Sequence, residues 1–295
     1  MKIFVFFPNE NWILDRIGKE WRHYRADVCG DDPMQSDIFW FLDNYSWRSI
    51  PPQILQEKIT VQSAHHIVPD KFNKEEFYAR DRHIDHYLCP NKFTKDFIKN
   101  HTDKPISVIG YWYNPDLWHR EHDLDRDQER EKLGLTSDEF VIGSFQRDTE
   151  GHDLMSPKLE KGPDLFLKYI KKFDNVHVLL GGWRRQYVIN ELKKCGIKYT
   201  YREMVNFNSL KRMYAACDLY VVSSRYEGGP QAVLEASSMK VPIVSTNVGM
   251  ASEVLSERCV VSLEDEAYIP TQDDVEYNFK NVQKFGLSAH MEKYE

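Results

Sequence analysis

Cysteine is scarce in this 295-residue chain: five residues, Cys29, Cys89, Cys195, Cys217 and Cys259, odd in number, scattered, and without a C-x-x-C pair. That disfavours a disulfide scaffold or a cysteine-based zinc site and fits a reducing compartment. Long apolar runs are missing too. None approaches the roughly 18 residues that a spanning helix needs. The first run, in KIFVFFP, stops at Pro8, too short for the apolar core of a secretion signal. The expectation is a cytoplasmic protein, with contact at a membrane surface left open. There is no basic excess, since the formal net charge is -7 and most of the surplus acid lies beyond residue 112. Nucleic acid is therefore not expected as the main partner, because a phosphate backbone needs a dense positive face. A local basic groove is still compatible with that charge. No G-x-x-x-x-G-K-[ST], G-x-G-x-x-G or G-x-S-x-G occurs, so the P-loop, dinucleotide and nucleophile-elbow fingerprints are absent. The acid pairs Asp31-Asp32 and Asp273-Asp274 fall in loop-like stretches and read as solvated turns, so no metal site is expected.

What is present is an ordinary globular balance, 41% hydrophobic and 29% charged, in a chain about twice the usual single-domain length. Short β-branched and aromatic runs alternate with amphipathic segments. KIFVFF, DIFWFL, KITVQS, HYLC and PISVIG punctuate the first 110 residues, with helices expected in NENWILDRIGKEWRHYR and NKFTKDFIKNH. Residues 113–137 are polar and read as a solvated helix and inter-domain connection. Beyond them FVIGSF, NVHVLLGG, DLYVVSS, VPIVST and CVVS read as strands, separated by helices in GPDLFLKYIKKF, RRQYVINELKKCG, NFNSLKRMYAACD and PQAVLEASSM. Near-continuous apolar strands alternating with helices imply parallel sheets covered on both faces. The expected architecture is α/β, two doubly wound Rossmann-like domains, 1–112 and 113–279. The last segment, 280–295, is expected as a helix broken at Gly286 that packs back on the first domain.

In such sheets ligands sit beyond the carboxyl ends of the strands. The stretch SSRYEGGPQAVLEASSM, residues 223–239, places Glu227 just past a strand, with Gly228 and Gly229 to turn the backbone and Pro230 at the expected first helical position. The following helix start favours an anion, and Glu235 can accept bonds from vicinal hydroxyls such as those of a ribose. The alternative is a capped helix with both acids at the surface. Arg147 follows another strand end and Lys161 precedes another helix; the two either clamp a diphosphate or are surface cations. Gly249, in STNVGMASEV, allows close backbone approach or simply makes a turn. His65 and His66 follow the strand in ITVQSAHHIVPDKF and either face a ligand or form a polar turn. Tyr45 and Trp47, in DNYSWRSIPP, either stack on a sugar ring or pack in a core.

Taken in order, R…K-G, E-G-G-P-Q-A-V-L-E-A and V-P-I-V-S-T-N-V-G-M-A-S-E-V resemble the donor half of family-4 retaining glycosyltransferases of the GT-B fold, whose domains face across a cleft. The resemblance is most specific over residues 141–256. It implies transfer of a sugar from a nucleotide-diphosphate sugar to a hydroxyl of a glycan or other acceptor, with retained configuration and no metal or other cofactor. Glu227 and Glu235 match the family's E-x7-E pattern, and Arg147 and Lys161 its cation pair. Gly228, Gly229, Pro230, Gln231 and Gly249 would belong to the donor site. Between the two cations this chain is longer and more polar than the family pattern, so Lys158 is a second candidate for the role of Lys161. His65 aligns with the family histidine and His66 with the acid that follows it. The usual glycine-rich loop after the first strand is replaced by PNENW, where Asn11 or Trp12 would have to act through side chains. Two rival readings remain: an epimerase or hydrolase using the same donor pocket, and a catalytically silent nucleotide-sugar-binding protein.

Overall fold

The computed structural model describes residues 1–10, 13–121 and 124–294, so Asn11 and Trp12 lie outside the described residues. The chain divides into two compact units: Met1–Tyr111 together with the last residues from Ser288, and Trp112–Leu287. The stretch 280–287, expected with the first domain, thus groups with the second unit.

In chain order the first unit contains β1 (Ile3–Phe6), α1 (Ile13–Tyr24), β2 (Ile38–Phe41), α2 (Pro52–Glu57), β3 (Ile59–Ser63), α3 (Lys74–Asp81), β4 (His86–Cys89), α4 (Lys92–Ile98) and β5 (Ile106–Val108). Its strands are all parallel and stand in chain order, β1-β2-β3-β4-β5. Alternation along β2 sends Phe39 and Phe41 to one face, where they join Leu55, Phe77 and Ile98 from α2, α3 and α4. Trp40 points to the other face and meets Trp21 of α1 (ring centroids 5.1 Å apart) and Tyr294 (5.3 Å). The last residues are held there by hydrogen bonds. The Tyr294 hydroxyl donates to the Gly110 carbonyl at 3.0 Å and His290 Nε2 donates to the same oxygen at 2.6 Å.

The second unit contains α5 (Arg126–Leu133), β6 (Phe140–Ser144), β7 (Thr149–Glu150), β8 (Ser156–Pro157), α6 (Pro163–Ile170), β9 (Val176–Gly181), α7 (Gln186–Cys195), β10 (Lys198–Arg202), α8 (Phe207–Ala215), β11 (Leu219–Val222), α9 (Gln231–Ser238), β12 (Ile243–Ser245), α10 (Ala251–Val254) and α11 (Gln272–Val282). One further helix, α12 (Leu287–Met291), follows Gly286. The main sheet is parallel with order β10-β9-β6-β11-β12, so the winding reverses at β6. Every residue of β11 is buried, and Leu219 and Val221 join Ile142, Val178, Leu180 and Val244 in the core. These strands read as solid apolar runs because helices cover both faces.

Several local expectations are replaced. Among the described residues of 113–137 only α5 is an α-helix, and there the Asp125 side chain caps the Asp127 and Gln128 amides. That segment is not simply solvated. Trp118 is buried, and so is Arg130, which donates to the Ala216 and Glu139 carbonyls (2.9 and 3.1 Å) and to Asp218. Lys198–Arg202 is an additional edge strand, and Thr149–Glu150 pairs antiparallel with Ser156–Pro157 in a small hairpin. CVVS contributes a single bridge, Val260 to Ser245, in place of a strand. Asp274 is not a solvated turn residue: it is buried, closes a capping box with Thr271 and accepts from Tyr268 (2.5 Å) and Ser256 (2.7 Å). Burial alone would raise its pKa, but these hydrogen bonds outweigh that and hold its carboxyl well below the usual range. Among the described residues no group of three or more His, Cys, Asp or Glu is placed to hold a metal ion, and no helix is long and apolar enough to cross a membrane.

Candidate functional site

The reversal at β6 puts a switch point between the carboxyl ends of β6 and β11 in the second unit, the place where open α/β sheets bind their ligands. Gln146 follows β6, and Ser223 and Ser224 follow β11. The Gln146 amide donates to the Lys161 carbonyl (3.0 Å) and to Ser223 Oγ (3.2 Å). Ser223 Oγ donates to the same carbonyl at 3.0 Å. The backbone at Lys161 is thereby fastened across the switch point. The next residue has to be glycine: Gly162 has φ 58°, and a Cβ there would lie 1.8 Å from the Ser223 carbonyl oxygen.

Fixed in this way, Lys161 directs its ammonium at Glu227, with Nζ 2.6 Å from Oε1. The pair is mostly enclosed, at 17% and 11% side-chain exposure. Ser224 Oγ donates to the same carboxylate oxygen at 2.8 Å. A charge pair this sheltered keeps much of its Coulombic strength and is held by hydrogen bonds on more than one side. Pro230 ends the turn after Glu227 as the N-cap of α9, one residue earlier than the expected first helical position, and no side chain caps the helix start. The left-handed glycine facing this turn is Gly249, with φ 55°. A Cβ there would sit 2.8 Å from Pro230 Cδ and 3.0 Å from the Gly228 carbonyl oxygen, so the loop after β12 packs directly on the 228–230 backbone. In the first turn of α9, the Gln231 carboxamide has both its oxygen and its nitrogen enclosed without a hydrogen-bond partner. Such a group is rare and calls for an explanation.

The other candidates have partners of their own. Arg147 donates from Nε to the Thr149 carbonyl (2.9 Å) and lays its guanidinium over the Trp183 ring, 5.1 Å from the centroid. Arg184 lies over the same ring at 4.5 Å. The next residue, Asp148, is paired in the interior with Arg185 at 2.5 Å, and Arg185 also donates to the Gly181 carbonyl at 2.7 Å. Lys158 is 3.7 Å from Glu160 and donates its amide to the Asp148 carbonyl. Glu235 is buried and accepts from the Tyr214 hydroxyl at 3.1 Å. Sequence reasoning passed over Gln146, Ser223, Ser224 and Trp183. The only signal for them was position, directly beside a candidate or at a strand end.

In the first unit, His65 follows β3 and has both ring nitrogens engaged. The Leu42 carbonyl can only accept, so Nε2 carries the proton and donates to it at 2.6 Å, and Nδ1 accepts from the Tyr111 hydroxyl. Desolvation lowers its pKa to about 4, which makes it a neutral imidazole near pH 7. His66 is exposed. Trp47 stacks on His83 with centroids 5.4 Å apart, and the half-exposed Tyr45 donates its hydroxyl to Glu10 at 2.9 Å.

Residues 125–258 match the family model described as Glycosyl transferases group 1. The glycogen synthase of Fervidobacterium nodosum is 29% identical over 196 residues, which are 61% of this chain and 36% of that relative. The chain thus spans about a third of that relative's length. Among solved structures, Anabaena HepE in complex with UDP and glucose superposes with a TM-score of 0.75 at 13% identity, over 99% of this chain and 97% of that one. Sucrose-phosphate synthase from Thermosynechococcus elongatus gives a TM-score of 0.69 at 14% identity, over 98% and 78%. At those identities the likeness is one of fold. The chain has an α/β fold with parallel sheets that matches GT-B glycosyltransferases, and over residues 125–258 it matches the glycosyl transferases group 1 domain.

Proposed function

We propose that this protein is a retaining glycosyltransferase of family 4 that moves a hexose from a nucleotide-diphosphate sugar to an acceptor hydroxyl, in the cytoplasm and without a metal ion. The observation that carries this reading is the sheltered Lys161–Glu227 pair at the switch point, 2.6 Å apart beside the 228–230 turn. Without donor, each charge neutralises the other. A diphosphate would draw the ammonium to itself and release the carboxylate to accept from sugar hydroxyls, so one exchange would ready both groups. Arg147 would swing from Trp183 to share the leaving-group charge, and Lys158 would share or replace the role of Lys161. The amides at the start of α9 would face the same phosphates, and the unpartnered Gln231 carboxamide would find its partner on the donor. Glu235 would hold the ribose. The departing phosphate oxygen would take the proton of the incoming hydroxyl on the face it leaves, which retains the anomeric configuration. His65 enters as a neutral hydrogen-bonding group; a sugar hydroxyl would have to replace that of Tyr111.

UDP-glucose is the first donor to test, because HepE has been solved with it. The experiment is a donor-consumption assay with and without a panel of sugar acceptors and with chelator present, the product anomer being read by NMR. Lys161→Ala and Glu227→Ala are each expected to lower transfer by at least about a hundredfold while leaving the thermal transition in place. Near-normal turnover in both variants would refute the proposal. Rapid sugar isomerisation or hydrolysis without acceptor would favour the epimerase or hydrolase, and binding without turnover a silent protein.

A further inference from the structure

Four elements of the second unit bring two buried tyrosines together beside Glu235. At the carboxyl end of β6 the Phe145 amide donates to the Tyr220 hydroxyl at 3.0 Å. Tyr214, on α8, packs its ring against that of Tyr220, on β11, and donates its hydroxyl proton to Glu235 Oε2 on α9 at 3.1 Å. A phenol has one proton to give and a carboxylate can only accept, so the direction of the bond that reaches Glu235 is set. The rings are locked as well. Phe145 lies 4.9 Å from Tyr214 and 5.1 Å from Tyr220, the two tyrosine rings are 5.0 Å apart, and Trp118 closes the far side of Tyr214 at 5.9 Å. Burial drives both phenol pKa values well up, so both remain donors at any working pH.

Filling a core does not require this arrangement. Phenylalanine would pack the same aromatic cluster without bringing two polar groups into it, and a carboxylate with 6% of its surface open is costly to desolvate. We propose that Tyr214 is a positioning residue for the nucleoside of the donor: its hydroxyl, on a ring held between Phe145, Tyr220 and Trp118, sets the Glu235 carboxylate in the one orientation from which it accepts from the vicinal hydroxyls of a ribose. This rests on the reading of Glu235 as the ribose-holding acid.

The test removes one oxygen. Binding of UDP, GDP and ADP to the full chain is measured by calorimetry, and the diphosphate that binds is compared with its 2′,3′-dideoxy counterpart. The wild-type protein should prefer the ribose form about tenfold or more. Tyr214→Phe should lose most of that preference by weakening the ribose form alone, and should raise the donor KM with kcat at saturation little changed. Phe145→Leu, which loosens the ring packed on Tyr214, should do the same more weakly, and serves should Tyr214→Phe fold poorly. In a Glu235→Gln background the tyrosine change should add nothing. Full ribose preference in a folded Tyr214→Phe or Phe145→Leu protein overturns the inference. Wild-type binding of a diphosphate without ribose preference also overturns it, while leaving the proposed function standing. Failure of the wild-type protein to bind any of the three overturns both.

Discussion

In the first unit the five strands stand side by side in chain order, with only the Ile3–Cys29 bridge beyond β1 at the sheet's edge, whereas in the second the order turns back at β6, in the middle of the sheet. The parts are otherwise alike: five parallel strands with helices between them. The difference decides where chemistry can collect. A sheet that reverses sends successive connections to opposite faces and leaves a gap between the strand ends where they part. Gln146, Ser223, Ser224, Glu227 and, through its fastened carbonyl, Lys161 all converge at that gap. In the first unit the turn back falls at β1, where a single bridge between Ile3 and Cys29 stands in for a strand, and the groups at the ends of the later strands bond to one another. His65, after β3, is held by the Leu42 carbonyl after β2 and by the Tyr111 hydroxyl beyond β5. Burial follows position within each sheet: β11 is buried throughout, while the edge strands β5 and β10 have no buried residue.

The sharpest way to break the comparison is to remove matched arginines. Arg130→Ala in the second unit leaves Asp218 and two carbonyls short of a buried donor and should lower stability by about 3–5 kcal/mol in denaturant titration. Arg48→Ala in the first unit breaks the exposed pair with Glu76 and should change it by less than about 0.5 kcal/mol. Matched glycines come next. Gly162→Ala puts a methyl group against the Ser223 carbonyl at a left-handed φ and should cost about 3 kcal/mol, with donor affinity falling at the same time. Gly30→Ala meets the Ser36 side chain, whose hydroxyl can rotate away by giving up its bond to the Asp32 carbonyl, and should cost about 1 kcal/mol. Acid separates the units less strongly. The folded state holds His65 neutral, with its pKa near 4, while the unfolded chain takes up a proton near 6.5. Its contribution is therefore complete above about pH 6.5 and is lost as the pH falls towards 4, by up to about 3 kcal/mol. Asp274, in the second unit, has a depressed carboxyl, so its contribution is lost only as the pH drops below about 3.8. Calorimetry from pH 7 to 3 should show the upper window flattened in His65→Asn and the lower one in Asp274→Asn. A single window shared by both variants would contradict the assignment.

Much of this was legible from residue order. All the expected strands but one form, and PQAVLEASSM becomes α9, because solid apolar runs and amphipathic periods depend only on neighbours. The exception, CVVS, has the right composition, but the chain crosses the sheet edge there with one bridge. The polar stretch 113–137 misled for the opposite reason. Its arginine looked solvated because its partner Asp218 lies 88 residues away. The Arg185–Asp148 and Tyr214–Glu235 contacts were invisible for the same cause.

By itself, the sequence determined the α/β alternation, the eight-residue spacing of Glu227 and Glu235 around a glycine turn, and the net charge of -7. Those properties follow from local backbone preference and composition. Only the tertiary structure decided that Lys161 meets Glu227 across 66 residues, that Arg147 rests on Trp183, and that Glu235 is met by a tyrosine from α8. Spacing along a chain sets which side chains share an element. Which elements become neighbours is set by the order in which strands assemble into the sheet.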